Sequence, residues 1–310
     1  MKAGKIRFLE EGELPLLPTW TKFLPAPWRA SYTEKYRPFR LEETEDRMVT
    51  GILQTSREAA YAAVWRENAR LLLAALEEKN VGIVIAPEKG EFPRGTLPFA
   101  DGKRLLNLFA FDGAAEALRR QDKNPAECLY LLCGGNQGSW RAALTSIGNE
   151  VNRLAIFTQE PVAAEEIQRE LYTERGLVAE VFSSPKNPVF QEADAVLGCG
   201  MEQRAYEYIL KRGCFWLDLA GNRPVLRKLL QQRPDVSVAE GFFFHVQERQ
   251  LEGRFAEAEA FLQCEAFRES FPFPLEEVER EELLAQLRGM GFSVSGFSAF
   301  GNRVKIKRNP

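Results

Sequence analysis

Short apolar runs alternate with amphipathic stretches along this chain, most regularly between Cys128 and Gly241. Leu129 to Cys133, Arg153 to Thr158, Ala179 to Phe182, Ala195 to Cys199, Cys214 to Leu219 and Val236 to Ala239 have the length and composition of strands. Helical spacing fills most of the intervals, over Ser139 to Gly148, Ala163 to Arg175, Glu202 to Lys211 and Pro224 to Gln231. Parallel neighbours need a crossover connection, so this alternation predicts βαβ units. The expected fold class is α/β, with a Rossmann-type doubly wound parallel sheet over residues 122–242 and a second α/β domain of the substrate-binding type.

The flanks are less regular. Pro15, Pro18, Pro25, Pro27 and Pro38 prevent a long helix in residues 1–50, which predicts an extended arm. A long amphipathic helix is expected from Ser56 to Leu76, a strand from Val81 to Ala86 stopped by Pro87, and a helix from Gly113 to Arg120. The polar connection Lys123 to Ala126 is read as a boundary, giving residues 1–121 as the arm and substrate-type domain. Residues 243–310 are expected to complete that domain, helical from Phe243 to Phe271 and from Leu275 to Arg288, with a terminal hairpin turning at Gly301 and Asn302.

A length of 310 residues favours two cores over one. The formal charge of −3 gives no electrostatic case for a nucleic-acid partner, and the basic tail Arg303, Lys305, Lys307, Arg308 is local. No apolar run approaches the roughly 20 residues that span a bilayer, and no signal peptide is evident, so a cytoplasmic location without a membrane partner is expected. Five cysteines without CxxC spacing and a single histidine, His245, indicate neither a disulfide framework nor a metal site. The expected partner is a small-molecule ligand, and a homodimer is the assembly held open.

Between the first strand and helix of the regular segment stands Leu132, Cys133, Gly134, Gly135, Asn136, Gln137, Gly138, Ser139, Trp140, Arg141, Ala142. Glycines at such a turn let the backbone approach a pyrophosphate, whose oxygens the helix N-terminus receives. Two registers fit. With Cys133 in the first glycine position, Gly135, Gly138 and Ala142 fall on the small-residue positions; with Gly135 first, the bulky Gln137 and Trp140 take the second and third. Gly135, Gly138 and Ser139 are the candidate phosphate contacts. Thr158 and Glu160 end the second strand, where an acidic group suits a ribose diol and an arginine would suit a phosphate, so NAD is favoured over NADP.

Several segments resemble the shikimate dehydrogenase family over roughly Val81 to Phe255. Phe157, Thr158, Gln159, Glu160, Pro161 resembles its VNRTP stretch, Asp218, Leu219, Ala220, Gly221, Asn222 its DLVYN stretch, and Gly241 through Gln247 its GxxMLVxQ helix start. Val84, Ile85, Ala86, Pro87, Glu88, Lys89 resembles NVTxPxK, and Asp101, Gly102, Lys103 with Phe109 to Gly113 resembles dGxxxGxNTDgxG. The resemblance implies a two-domain enzyme that oxidises or reduces a ring alcohol with a Lys and Asp pair beside the nicotinamide. Lys89 and Asp112 stand in those places, and Gln247 in that of a substrate contact. Ile83, Ile85, Ala110 and Phe111 replace the family's substrate-holding Asn and Thr residues, which argues against shikimate itself.

Three functions are expected from these residues. The first is an NAD(P)-dependent oxidoreductase of a small, less polar alcohol or carbonyl compound. The second is a non-catalytic scaffold for ligand sensing or assembly, with no cofactor. The third is an acyl reductase using Cys199, which ends a strand facing the nicotinamide position.

Overall fold

A computed structural model of the chain describes residues 1–8, 23–25, 28, 39–44, 47–53, 62–85, 96–148, 150–200, 209–275 and 279–307. Lys89, much of the proline-rich arm and most of the helix expected from Glu202 lie outside them. The chain forms two compact units, Met1–Asp101 with Glu257–Pro272, and Gly102–Ala256 with Phe273–Pro310. Among the described residues no helix is long and apolar enough to cross a membrane.

The first unit is built on a five-stranded sheet. Its strands are β1 (Lys2–Phe8), β2 (Phe39–Thr44), β3 (Met48–Leu53), β4 (Val81–Ile85) and β5 (Phe99–Ala100), in the order β2-β3-β1-β4-β5. β1 runs parallel to β3 and β4, and β2 is antiparallel. The first residues are therefore a central strand and not part of an arm: Ala3 and Ile6 are buried although Lys2, Lys5 and Arg7 mask the strand in sequence. Leu72, Leu73 and Leu76 of helix α1 (Ala62–Glu78) pack with Ile6, Val49 and Val84 in its core.

In the second unit, helices α2 (Lys103–Leu108) and α3 (Ala110–Arg120) precede a six-stranded parallel sheet. The strands are β6 (Leu129–Cys133), β7 (Arg153–Phe157), β8 (Ala179–Phe182), β9 (Ala195–Gly198), β10 (Phe215–Asp218) and β11 (Ser237–Ala239). Helix α4 (Gln137–Leu144) follows β6, α5 (Pro161–Arg175) follows β7, α6 (Val189–Glu192) precedes β9, and α7 (Arg223–Gln232) follows β10. The spatial order β8-β7-β6-β9-β10-β11 is 3-2-1-4-5-6 in chain order, the doubly wound arrangement of dinucleotide-binding sheets. Every strand of it ends within one residue of where the apolar runs predict.

The segment after β11 departs from expectation. Phe243 to Glu252 is not helical: β12 (Gly241–Val246) and β13 (Arg249–Glu252) form a hairpin, and helix α8 (Gly253–Gln263) begins only after it. Phe242, Phe244 and Val246 are buried at the period of a strand. α9 (Glu265–Ser270) and α10 (Arg280–Gly289) follow, and β14 (Ser293–Ala299) and β15 (Asn302–Val304) complete an antiparallel sheet in the order β13-β12-β14-β15. Phe300 and Gly301, both at positive φ, make the two-residue turn between β14 and β15.

This added sheet packs closely on α3. A Cβ on Gly113 would lie 2.1 Å from the ζ carbon of Phe242, whose ring is edge-on to Phe244 and Phe297. Gly113→Ala is expected to destabilise the chain by about 1–3 kcal/mol through this overpacking. Urea denaturation, read as a fall in midpoint with little change in slope, checks it.

Candidate functional site

Strand order reverses between β6 and β9, so the connections leaving their carboxyl ends diverge and open a crevice. Beyond β6, Gly134 and Gly135 have φ of 67° and 85°, a backbone that L side chains adopt only with strain. Asn136 then caps α4: its Oδ1 accepts from the Ser139 amide at 3.0 Å, and Ser139 Oγ accepts from the Asn136 amide at 2.9 Å. The helix starts at Gln137. Gly135 is the left-handed residue before the cap, and Gly138 lies in the first helical turn.

The two bulky side chains of the turn are engaged elsewhere. Trp140 is fully buried, and its indole N–H donates to the Gly134 carbonyl at 2.6 Å. The Gln137 amide donates to the Glu166 carboxylate on α5. Capping takes the Ser139 amide and the Asn136 carbonyl receives that of Trp140, so the Gln137 and Gly138 amides are the helix-end donors left for an anion.

The opposite wall is Gly198, Cys199 and Gly200. Cys199 donates its amide to the Cys133 carbonyl at 3.0 Å, and a Cβ on Gly200 would stand 2.2 Å from the Gly135 nitrogen. The two walls touch through the Gly135 and Gly200 backbones and through the Cys199 amide. Burial, helped by the charge of Asp218, pushes the Cys199 thiol up to about 12. Acyl transfer needs a thiolate, so this environment opposes the expected Cys199 chemistry.

Farther along the crevice β10 ends at Asp218, which is 3% exposed. Its Oδ1 accepts from the Ala220 amide at 3.3 Å, and the amides of Asn222 and Gly221 also turn toward the carboxylate. Oδ2 is buried with no hydrogen-bond partner. Burial pushes the carboxyl up to about 6, the three amides hold it down, and Glu240 adds a smaller upward push. The sequence signal for Asp218 is an acidic residue ending an otherwise apolar strand.

On the other side, β7 is followed by Thr158, which is buried and whose Oγ1 accepts from the Glu160 amide at 2.9 Å. Gln159 donates its side-chain amide to the Ser183 carbonyl at 3.1 Å. Glu160, exposed, stands just before α5.

Asp112 and Gln247 are not brought to the crevice. Phe111 donates its amide to Ser146 Oγ at 2.9 Å, which places neighbouring Asp112 at the far end of α4, roughly 12 Å from the glycine turn at a rise of 1.5 Å per residue. There Asp112 forms a two-pronged pair with Arg288, 2.7 Å to each carboxylate oxygen. Burial raises its pKa, against the lowering effect of Arg288. Gln247 occupies the hairpin turn between β12 and β13 at φ 55°, exposed, where a helix start was expected. Among the described residues no group of three or more His, Cys, Asp or Glu could hold a metal ion.

The chain is similar to shikimate dehydrogenase. The match to the enzyme of Mycobacterium tuberculosis has 18% identity and a TM-score of 0.31, and covers 58% of this chain and 61% of that one. L-tryptophan dehydrogenase from Nostoc punctiforme matches at 11% identity and TM-score 0.42, over 93% of this chain and 87% of that one. Aspartate transcarbamoylase from Trypanosoma cruzi matches at 10% identity and TM-score 0.37, over 76% of each chain. No protein-family model and no curated protein matches the sequence. None of these likenesses carries a substrate or cofactor over to this chain.

Proposed function

We propose that the second unit binds a nicotinamide dinucleotide across the carboxyl ends of its sheet, and that the chain is an NAD(P)-dependent oxidoreductase of a small alcohol or carbonyl compound. One observation carries this: a glycine turn with an open helix N-terminus stands at the reversal point of a sheet ordered 3-2-1-4-5-6. Gln137 and Gly138 would present their amides to the pyrophosphate. Glu160 would accept from the adenosine ribose diol, and no arginine from Phe157 to Glu160 is there to meet a 2′-phosphate, which favours NAD over NADP. The dinucleotide supplies the hydride chemistry when bound. Asp112, paired with Arg288 and distant from the turn, is not given the acid/base role.

A second reading, a scaffold without cofactor, draws on the contact between Gly200 and Gly135, which narrows the crevice. Thermal unfolding with NAD, NADH, NADP and NADPH separates the two. A ligand that binds only the native state at 100 times its Kd adds about 2.7 kcal/mol, so the midpoint should rise by several degrees with NAD or NADH. No rise with any of the four at millimolar concentration would favour the scaffold.

A further inference from the structure

We propose that Asp218 sets the preference between the two redox forms of the cofactor, its buried carboxylate favouring the oxidised, cationic nicotinamide ring over the reduced, neutral one. The inference rests on the dinucleotide reading above. A doubly wound sheet consists of two mononucleotide-binding halves. The ribose-reading position at Glu160 assigns the adenosine half to β6, β7 and β8, which leaves the nicotinamide half to β9, β10 and β11. Asp218 ends the middle strand of that half, in register with Gly198, whose lack of a side chain keeps the neighbouring strand end low.

Three features make Asp218 a fixed charge rather than a solvated one. The amides of Ala220, Gly221 and Asn222 hold its carboxylate in one orientation. Its second oxygen is buried without a partner, so its field is not spent on a neighbouring donor. Water is excluded around it, which lengthens the reach of that field.

The groups facing it can be named. Cys199 follows β9 and is held neutral by its own high pKa. Glu240 follows β11 and is neutralised by a two-pronged bond to Arg223, at 3.0 and 2.7 Å. Lys103 on α2 brings its ammonium to the Gly221 loop, 3.7 Å from where a Cβ there would stand. Burial pushes the Asp218 carboxyl up to about 6, so its ionisation changes near neutrality. Above that pH it offers a negative charge to the ring, and below it does not.

The test is calorimetric titration of the full chain with NAD and with NADH from pH 5.5 to 8, for the wild type and Asp218→Asn. Charges about 10 Å apart at an effective dielectric near 20 predict an affinity ratio of NAD to NADH on the order of tenfold higher with the carboxylate ionised than protonated, of which roughly threefold falls within this range in the wild type. In Asp218→Asn, which keeps an oxygen for the Ala220 amide, the ratio should be flat. The wild-type titration needs no variant, so a poorly folded variant does not blunt the test. Binding of both nucleotides with a wild-type ratio independent of pH, or a variant that keeps the pH dependence, would overturn the role of Asp218 alone. Binding of neither nucleotide to the wild type would overturn the dinucleotide reading with it.

Discussion

Gly200→Ala is expected to lower stability by about 1–3 kcal/mol and to abolish dinucleotide binding together. The new Cβ would stand 2.2 Å from the Gly135 nitrogen and 2.9 Å from its Cα. Both are backbone atoms, so no rotamer change relieves the clash. Gly135 cannot retreat, because Ser139 is tied to the Asn136 cap and Trp140 to the Gly134 carbonyl on its other side. The turn must deform, and with it the start of α4, where the Gln137 and Gly138 amides are presented. Gly176→Ala is the control: Gly176, at the end of α5, has positive φ but open space surrounds it. It should cost only the strain of its backbone conformation and leave binding intact. Urea denaturation and nucleotide titration of both variants check the contrast.

At the other end of the same sheet, Asp194→Ala is expected to cost about 3 kcal/mol at neutral pH. Asp194 Oδ1 accepts from Lys123 Nζ at 2.9 Å and Lys211 Nζ at 2.8 Å, and Oδ2 from the Leu129 amide at 3.3 Å. The carboxylate is 7% exposed and the Lys123 side chain 17%, so truncation strands a lysine charge where water reaches poorly. Lys211, 40% exposed, can rehydrate and adds little. Backbone bonds from Asp194 to Leu129 and from Phe215 to Asp194 put this cluster at the junction of β6, β9 and β10.

The pH dependence of that cost has a definite sign. Burial is the largest influence on Asp194 and raises its pKa, but the bonds from Lys211 and Lys123 and the Leu129 amide outweigh it, and the net shift is downward. A carboxyl with a lowered native pKa contributes its stability above the unfolded value of about 3.9, and loses it as pH falls through the native value. The gap between wild type and Asp194→Ala should therefore hold from pH 7 to 5 and close below about pH 4. A gap that widened on acidification would contradict the ion-pair account.

The two halves of the chain differed in how legible they were. β6, β9, β10 and β11 of the parallel sheet are continuous buried runs between turn residues, and such runs look the same in sequence as in space. β12 was hidden because Val246, Leu251 and Phe255 suit a helical stripe as well as a hairpin. Only the left-handed Gln247, a residue type with no turn signature, separates the two. β1 was hidden by its charges: Lys2, Lys5 and Arg7 flank the buried Ala3 and Ile6 in a strand only seven residues long.

At the site, the glycine turn is legible, and so is the reciprocal Asn136 and Ser139 spacing that caps α4. Asp112 looked suitable by family pattern. Its true setting depends on Ser146 and Arg288, 34 and 176 residues further along the chain, which no local pattern reports. The importance of Gly200 and Asp218 likewise arises only when β9 and β10 are laid beside β6.

The central claim is that a dinucleotide lies on the turn from Gly134 to Gly138. Titration of NADH followed by its own fluorescence, for the wild type and Gly138→Asp, tests it most directly. An aspartate in the first turn of α4 would set a carboxylate against the pyrophosphate while suiting the helix N-terminus itself. Saturable binding to the wild type, lost in a Gly138→Asp variant of undiminished thermal stability, is the predicted result. Absence of saturation with the wild type at millimolar NADH, or equal binding by both proteins, would contradict it.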